Sequence, residues 1–267
     1  MIPALLLVLG AMSVVMTAAW IVQRASRNAG WVDVFWSFGT GAACTGAVLA
    51  LPSGGADWRR DLVALLVALW SLRLGGYIAL RVRSGPEDVR YAAFRRRWGD
   101  AFDRKMIGLV LVQAPVSAVL ALAALYAARQ PDPGFGLLDA VGLAICCVSL
   151  AGETQADRQM KRFKADPANR GKVCDQGLWG WSRHPNYLFE AMFWLSFPVI
   201  AADVGDPWSF LSWAAPALMT ALLRYGSGVP PLEAAMIEAK GDAYRDYQTR
   251  VPAIVPGLAG RLLRTGR

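Results

Sequence analysis

The sequence predicts an all-α, polytopic membrane protein with seven transmembrane helices, and three observations support that fold class. Hydrophobic residues make up 55% of the 267 residues and charged residues only 18%, where about 25% is typical of soluble domains. Apolar runs of membrane-spanning length recur along the chain. The net charge is +8, and the basic residues lie mainly in alternate segments between those runs. This composition excludes a soluble globular enzyme and an intrinsically disordered chain.

A membrane-spanning helix requires about 20 mostly apolar residues. The runs predicted to span are 2–22, 31–51, 61–80, 107–128, 137–153, 186–202 and 208–225. The fifth and sixth are short, so we expect them to tilt less or to be broken. The first has no basic segment before it and no clear cleavage site after it, so we interpret it as a true span and not as a signal peptide. We expect residues 1–267 to form one integral membrane domain.

The distribution of positive charge predicts the orientation of the chain. Of the 28 Lys and Arg residues, 23 lie in the segments after the first, third, fifth and seventh spans, and 3 lie in the intervening segments. Because basic segments stay in the cytoplasm, the N-terminus is expected outside and the C-terminus in the cytoplasm. Part of this charge could serve only to set topology and to contact anionic membrane lipids.

The cysteine and histidine content predicts no bound metal. The four cysteines form no CxxC pair, and His184 is the single histidine of the sequence, so zinc-site spacing is absent. A P-loop and a GxGxxG motif after a strand are absent as well. Any nucleotide is therefore expected to bind at helix ends, and no nucleic-acid partner is expected.

The segment 83–99 carries aromatic and basic residues between the third and fourth spans. A helix is expected around 88–98, lying at the membrane interface with Tyr91, Phe94 and Trp98 toward lipid or protein. Such a helix needs no further function.

Glu153, Asp157 and Lys164 form a stripe on the helix that is expected to continue out of the membrane after the fifth span. At 100° per residue, the three side chains fall within about 40° of one another. The carboxylates could bind ribose hydroxyls and the lysine a phosphate. The structural alternative is a salt bridge from Asp157 to Lys161 at i,i+4 spacing.

The start of the sixth span is predicted to bind anions. Pro185 suits a first helical turn, so the helix is expected to begin near His184. Its free backbone N–H groups and its dipole, together with Arg183 and His184, would form an anion site. A purely structural helix cap is the alternative for His184.

Ionisable groups inside the predicted spans are candidates for function, because each costs roughly 2.5–3.5 kcal/mol at the bilayer centre. Glu190 is one of them, and it lies one turn from Asn186 on a single helix face. Asp33 and Arg73 are the others, and these two could simply pair with each other.

After the seventh span, Glu233 is predicted to lie near the start of a helix, where the dipole favours a negative charge. Tyr244 and Tyr247 follow at i,i+3 spacing, on one helix face. They could clamp a planar ring or anchor their helix at the membrane interface.

Taken in order, these segments resemble the bacterial DUF1295 family, relatives of steroid 5-alpha-reductase. The resemblance covers about residues 30–256. Its motifs are GWVDVFW at 30–36, EDVRY at 87–91, ExxxDxQ at 153–159, GLWxxSRHPNYxxE at 177–190, SGxPxLE at 227–233 and YxxY at 244–247.

The resemblance implies a seven-helix reductase of the bacterial inner membrane. It would take a hydride from cytosolic NADPH and reduce a C=C bond conjugated to a carbonyl in a lipophilic molecule from the bilayer. Glu153 and Asp157 would hold the ribose and nicotinamide side, and Arg183 and His184 would join Lys164 at the phosphates. The full set implied for the cofactor is Glu153, Asp157, Lys164, Arg183, His184, Asn186, Tyr187, Glu190, Glu233, Tyr244 and Tyr247.

The same resemblance implies which residues would contact the enone carbonyl. The steroid enzymes use an acid on the second helix and a tyrosine on the third, and Asp33 and Tyr77 are the nearest counterparts. The steroid enzymes carry a Gln-Glu pair where this chain has only Asp33. The chemistry needs such a group, because hydride addition requires stabilisation of the developing enolate oxygen.

Two other classes of function remain open from the sequence. The Arg-His-Pro block occurs in isoprenylcysteine and phospholipid methyltransferases, which use S-adenosylmethionine. Those enzymes are expected to carry a close Glu-Glu pair after the last span, where Glu233 is followed by Ala234 and Ala235. A non-catalytic lipid-binding or transport protein is the third class, and it predicts ionisable groups along a path through the bilayer.

Overall fold

A computed structural model describes residues 1–50, 57–130 and 134–256. This part of the chain contains no strand and has eleven α-helices, joined in places by short 3-10 helices. The α-helices are α1 Ile2–Ser26, α2 Gly30–Leu49, α3 Asp57–Ser84, α4 Val89–Trp98, α5 Phe102–Leu111, α6 Gln113–Ala128, α7 Leu137–Ala165, α8 Pro185–Ala201, α9 Ala214–Tyr225, α10 Val229–Lys240 and α11 Asp242–Arg250. The all-α prediction is confirmed over these residues.

Five stretches are long and apolar enough to cross a membrane. They are Ile2–Ser26, Gly30–Leu49, Asp57–Ser84, Val89–Ala128 and Leu137–Ala165. They contain the first five predicted spans, apart from Ala50, which follows the second helix, and residue 51, which lies outside the described residues. The sixth predicted span coincides with α8, whose 17 residues cover only about 26 Å, whereas a bilayer core is about 30 Å thick. The seventh is divided between a 3-10 helix, Pro207–Trp213, and the short α9. Seven spans and the orientation of the termini stay predictions, and three of the counted cations, Arg261, Arg264 and Arg267, lie outside the described residues.

The chain divides into two compact units. Unit 1 comprises Met1–Ala144 and Trp194–Leu218, and unit 2 comprises Ile145–Phe193 and the described residues from Met219 onward. The expectation of a single membrane domain over 1–267 stays a prediction.

Unit 1 is built around α2, which packs against α1, α3 and α6. A Cβ atom on Gly41 would lie 2.1 Å from the Ser71 side chain, so α2 and α3 approach to backbone contact at this position. The Ser71 hydroxyl donates a hydrogen bond to the Ser37 carbonyl at 3.0 Å. The hydroxyls of Thr40 and Ser117 are 2.8 Å apart and join α2 to α6. In a membrane the hydrophobic effect does not drive helices together, because the lipid tails are themselves apolar. Helices associate there through close packing at small residues and through interhelical hydroxyl hydrogen bonds of this kind.

The start of α3 is tied to the start of α7 by a buried ion pair. Arg59 and Asp139 form two hydrogen bonds of 2.8 Å, and both side chains are buried. The guanidinium also donates to the carbonyls of Gln130 and Gly134. Every charge in this buried group is therefore matched by a partner, as burial of an ion pair requires.

Unit 2 places α10 and α11 beside the loop that joins α7 to α8. One hydrophobic cluster of this unit is formed by Tyr244, Tyr247 and Val251, and Val173 of the loop and Met236 pack against it. The positive-φ residues Gly171 and Gly177 allow the loop to turn within a short length of chain. The loop is consequently a packed part of unit 2 and not a free connection.

Candidate functional site

The stripe predicted on α7 lies in unit 2. From Leu137 to Ala165 the helix is uninterrupted, so Glu153, Asp157 and Lys164 share one face, as the 3.6-residue periodicity requires. Glu153 is 4% exposed and Asp157 is 6% exposed, whereas Lys164 is exposed to solvent. The face therefore changes from covered carboxylates to an exposed cation within three turns.

A second helix of unit 2 brings another carboxylate to this region. A Cβ atom on Gly152 would lie 2.3 Å from the Phe189 ring, so α7 and α8 are in contact at these residues. Glu153 follows Gly152 and Glu190 follows Phe189, and Glu190 is 6% exposed. Three buried carboxylates thus lie in one unit, on two helices that touch. Among the described residues, no His, Cys, Asp and Glu side chains form a group of three that could hold a metal ion.

Arg183 is the centre of a polar cluster between the loop and the last two helices. Its Nε lies 2.7 Å from Glu233 Oε1 and its Nη2 lies 3.2 Å from Oε2. Its Nη1 donates to the backbone carbonyls of Gln248 and Val251. The Gln248 side chain donates to Glu233 at 2.7 Å. The guanidinium therefore links the loop to α10 and α11, and its N–H groups donate hydrogen bonds to acceptors of the protein.

His184 belongs to the same cluster. Its Nε2 lies 2.9 Å from Glu233 Oε1, and its ring stacks on Tyr187 with a centroid separation of 5.3 Å. Burial lowers the pKa of His184 below its ordinary value, so the ring is neutral at pH 7 and donates its Nε2 hydrogen to the carboxylate. Burial alone would raise the pKa of Glu233, but hydrogen bonds from His184 and Arg183 lower it to about 2.

The start of α8 is closed by the polypeptide itself. The helix begins at Pro185, as predicted. The backbone N–H groups of Arg183 and His184 donate to the carbonyls of Pro252 and Ala253 at 2.9 and 3.0 Å. These N–H groups belong to the two residues just before the helix, so the returning chain packs beside the predicted anion site. Asn186, in the first turn and partly exposed, lies beyond this closed turn.

Tyr244 and Tyr247 are buried in the core of unit 2, with ring centroids 5.7 Å apart. The Tyr247 hydroxyl donates to the Trp179 carbonyl, and burial raises the pKa of both phenols. The two rings therefore pack inside unit 2, and both predicted roles, the clamp on a planar ring and the anchor at the membrane interface, stay predictions.

Two residues of unit 2 act in ways that the sequence analysis did not assign. The Gln159 side chain accepts a hydrogen bond from the Leu178 backbone N–H at 3.0 Å and thereby fixes the loop to α7. Gln248 bonds Glu233, as described above. Gln159 lies in the ExxxDxQ motif, which gave a signal, whereas nothing in the sequence distinguished Gln248 from a surface glutamine.

The candidate acid Asp33 lies in unit 1 and has two partners. Its Oδ2 is 2.7 Å from Arg90 Nη2, and its Oδ1 accepts a hydrogen bond of 2.6 Å from the Tyr91 hydroxyl. Both partners lie on α4, and this helix confirms the one predicted around 88–98. The Tyr91 side chain faces protein. The suggested pairing of Asp33 with Arg73 is wrong, because Asp33 pairs with Arg90.

Two acidic residues hold α4 against the rest of unit 1. Asp88 caps α4 by accepting from the Arg90 backbone N–H at 3.0 Å, and it also pairs with the side chains of Arg90 and Arg81. Burial raises the pKa of Asp88, but the adjacent Arg90 outweighs this and lowers it to about 2. Glu87 accepts from the Ala29 backbone N–H and pairs with Arg95 at 2.7 Å.

Tyr77 lies on α3, whereas Asp33 lies on α2 and its partners lie on α4. It packs against the apolar cluster of Val34, Ile78 and Val82, and the guanidinium of Arg73 lies 5.7 Å from the centre of its ring. The tyrosine that hydrogen-bonds Asp33 is thus Tyr91 and not Tyr77. Tyr91 lies within the EDVRY motif but was not among the residues predicted for the site.

Fold and composition together define the class of this chain as an all-α protein of the membrane type. The family described as "Protein of unknown function (DUF1295)" matches residues 19–251, and the chain belongs to this family. The uncharacterized protein C594.04c of Schizosaccharomyces pombe is 28% identical over 278 residues, covering 90% of this chain and 76% of the relative. No solved structure matches the chain. The predicted family is confirmed.

Proposed function

We propose that this protein is an NADPH-dependent membrane reductase that transfers a hydride to the C=C bond of a lipophilic enone. The observation that carries the proposal is the change along α7 from buried carboxylates at Glu153 and Asp157 to an exposed cation at Lys164. Ribose hydroxyls are hydrogen-bond donors and phosphates are anions, so a dinucleotide laid along this face meets acceptors first and a cation last.

The residues of unit 2 divide into two groups in this proposal. Glu153, Asp157, Asn186 and Glu190 would contact the ribose and nicotinamide portion, and Lys164 would contact a phosphate. Glu233 pairs with both Arg183 and His184. The two buried tyrosines pack against the loop. These residues would shape the loop and helix ends around the cofactor, with Tyr187 held by its stack on His184.

NADPH would supply the hydride to the β-carbon of the enone. The C=C electron pair would then form a double bond between the α-carbon and the carbonyl carbon, and the carbonyl π pair would move to the oxygen. The enolate oxygen then needs a hydrogen-bond donor or a proton. Asp33 and Tyr77 are the residues proposed for that role from the family resemblance. Asp33 pairs with Arg90 and accepts a hydrogen bond from the Tyr91 hydroxyl, whose oxygen lies 2.6 Å from Oδ1. Tyr91 therefore joins Asp33 and Tyr77 as a candidate donor.

Cofactor binding is tested with purified protein in detergent, titrated separately with NADPH, NADH and S-adenosylmethionine. The 11 tryptophans allow binding of a reduced nicotinamide to be followed by energy transfer. We expect saturable NADPH binding and an affinity loss of about 10-fold or more for Glu153→Gln with Asp157→Asn, since hydrogen bonds to charged groups contribute roughly 1.5–3 kcal/mol. Gln155→Ala is the matched control, because Gln155 is exposed on the same helix.

The alternatives give distinct results in the same titration. Saturable binding of S-adenosylmethionine without NADPH binding would identify the methyltransferase class. Binding of neither cofactor would favour a non-catalytic lipid-binding protein. Turnover of an enone with NADPH then tests the donor, and unchanged turnover in Asp33→Asn, Tyr77→Phe or Tyr91→Phe removes that residue from the mechanism.

A further inference from the structure

The helices α4 and α5 form an elbow, defined as residues Val89–Leu111. Phe94 and Trp98 stack with their centroids 4.8 Å apart and their planes 4° apart. Trp98 also contacts the buried Phe102 of α5 at 6.0 Å, and the guanidinium of Arg95 lies 4.1 Å from the centre of the Phe102 ring. The turn between the two helices is thus filled by side chains from both.

The elbow is fixed to α1 through one aspartate. The Asp103 backbone carbonyl accepts from the Trp20 indole N–H at 2.9 Å. The Asp103 carboxylate accepts from Gln23 at 3.3 Å and from Arg24 at 3.2 Å. The side chains that project from the elbow are therefore held at defined places on the surface of unit 1.

Five of the six cations of the elbow fall into two groups. Arg90 and Arg95 are neutralised by acidic residues of unit 1, as described above. Arg97, Arg104 and Lys105 are exposed, and no Asp or Glu side chain among the described residues forms an ion pair with any of them. The exposed Asp100 lies in the turn between them, so the surface keeps an excess of positive charge.

Arg104 and Lys105 lie directly before the apolar part of a candidate membrane-spanning stretch. Lys105 immediately precedes the apolar end of α5, which continues through Val112 into the apolar α6. Both α5 and α6 belong to the stretch Val89–Ala128, which is long and apolar enough to cross a membrane. Lys105 lies 5.8 Å from the centre of the Trp98 ring, and tryptophan is typical of the membrane interface.

We propose that Arg97, Arg104 and Lys105 bind the phosphate headgroup of an anionic phospholipid in the leaflet that this face of the protein meets. Arginine and lysine side chains donate charge-assisted hydrogen bonds to phosphate oxygens. An anionic leaflet attracts cations within a Debye length of its surface. The unmatched charge, the fixed elbow and the adjacent apolar helix together select a lipid headgroup as the occupant. The proposal is independent of the reductase activity.

The test uses delipidated full-length protein, mixed with phosphatidylglycerol or phosphatidylcholine of equal chain length and analysed by native mass spectrometry. We expect the wild-type protein to retain phosphatidylglycerol at least about 5-fold better than phosphatidylcholine, and Arg97→Gln/Arg104→Gln/Lys105→Gln to lose most of that preference. The control Arg162→Gln/Arg170→Gln/Lys172→Gln removes the same charge from unit 2 and should keep it. The conservative variant Arg97→Lys/Arg104→Lys should keep it as well, which separates loss of charge from misfolding.

Three results would overturn the proposal. Equal retention of the two lipids by the wild-type protein would show that there is no headgroup selectivity. A preserved preference in the triple glutamine variant would place the selectivity elsewhere. Displacement of phosphatidylglycerol by inorganic phosphate at millimolar concentration would identify a site for free phosphate in place of a lipid.

Discussion

Arg183 and Glu233 form a two-point ion pair across 50 residues of sequence, with Nε 2.7 Å from Oε1 and Nη2 3.2 Å from Oε2. The side chains are 11% and 12% exposed. The pair joins a residue two positions before α8 to the first turns of α10. Glu233 also bonds the side chains of His184 and Gln248. The geometry of unit 2 around the candidate cofactor face therefore depends on one carboxylate.

Removing that carboxylate should destabilise unit 2. In Glu233→Ala, Arg183 loses its counter-ion while it stays largely buried, and breaking such a pair typically costs about 3–5 kcal/mol. We expect a clear drop in the thermal unfolding midpoint in detergent, followed by intrinsic tryptophan fluorescence. Glu238→Gln is the control on the same helix, because Glu238 is exposed. An equal midpoint for Glu233→Ala and Glu238→Gln would contradict this account.

Stability should decrease on acidification. Unfolded His184 binds a proton below its ordinary pKa of 6.5, whereas in the folded protein burial lowers that pKa, so acid favours the unfolded chain. The stability contributed by Glu233 is fully present above its ordinary pKa of 4.5 and is lost as the pH falls toward about 2. We expect the unfolding midpoint to fall from pH 7 to pH 4, and the first part of that fall to be smaller in His184→Gln. A midpoint that rises on acidification would exclude this linkage.

Asp33 and Arg90 should be energetically coupled. Their atoms approach to 2.7 Å, and their side chains are mostly covered, so a double-mutant cycle of Asp33→Asn and Arg90→Gln should give a coupling of about 1 kcal/mol or more in unfolding free energy. The exposed pair of Arg245 and Asp242 is the matched control, and its coupling should be smaller, within the range of about 0–1 kcal/mol for surface pairs. Coupling near zero at Asp33 would mean that α4 is held to α2 by other contacts.

Two glycines of α2 should respond oppositely to the same change. Gly41→Ala places a methyl group 2.1 Å from the Ser71 side chain, and overpacking of this kind costs typically 1–3 kcal/mol. At Gly46 nothing lies within 4 Å of the new methyl group, so Gly46→Ala should stabilise the helix by up to about 1 kcal/mol. Unfolding midpoints of the two variants give the comparison, and a shared sign would show that helix propensity outweighs packing at Gly41.

The elements that could be predicted from sequence are those set by local periodicity and by proline or glycine. The stripe of Glu153, Asp157 and Lys164 needed only helix geometry, and α7 is indeed continuous there. The start of α8 at Pro185 followed from its fixed φ. The partner of Asp33 could not be predicted in this way, because Arg90 lies 57 residues away and several cations of the chain were equally available.

The predicted roles of Arg183 and His184 show the same limit of prediction from local sequence. A helix N-terminus next to two cations is a sound basis for expecting an anion site. It cannot reveal that the chain returns at Pro252 and Ala253 and pairs with the N–H groups of the two residues before the helix. The same return of the chain buries Tyr244 and Tyr247 against the loop.

By itself, the sequence determined that this is a helical protein with several membrane-length apolar stretches, that it belongs to a recognisable family, and where its charges lie along the chain. These features follow from composition and spacing within about 20 residues. The tertiary structure decided which charges are matched. It neutralises Arg90 and Arg183 and commits them to holding helices together, and it leaves Arg97, Arg104 and Lys105 exposed at a fixed elbow. The physical reason is that an ion pair depends on distances of about 3 Å, and only packing of distant segments sets such distances.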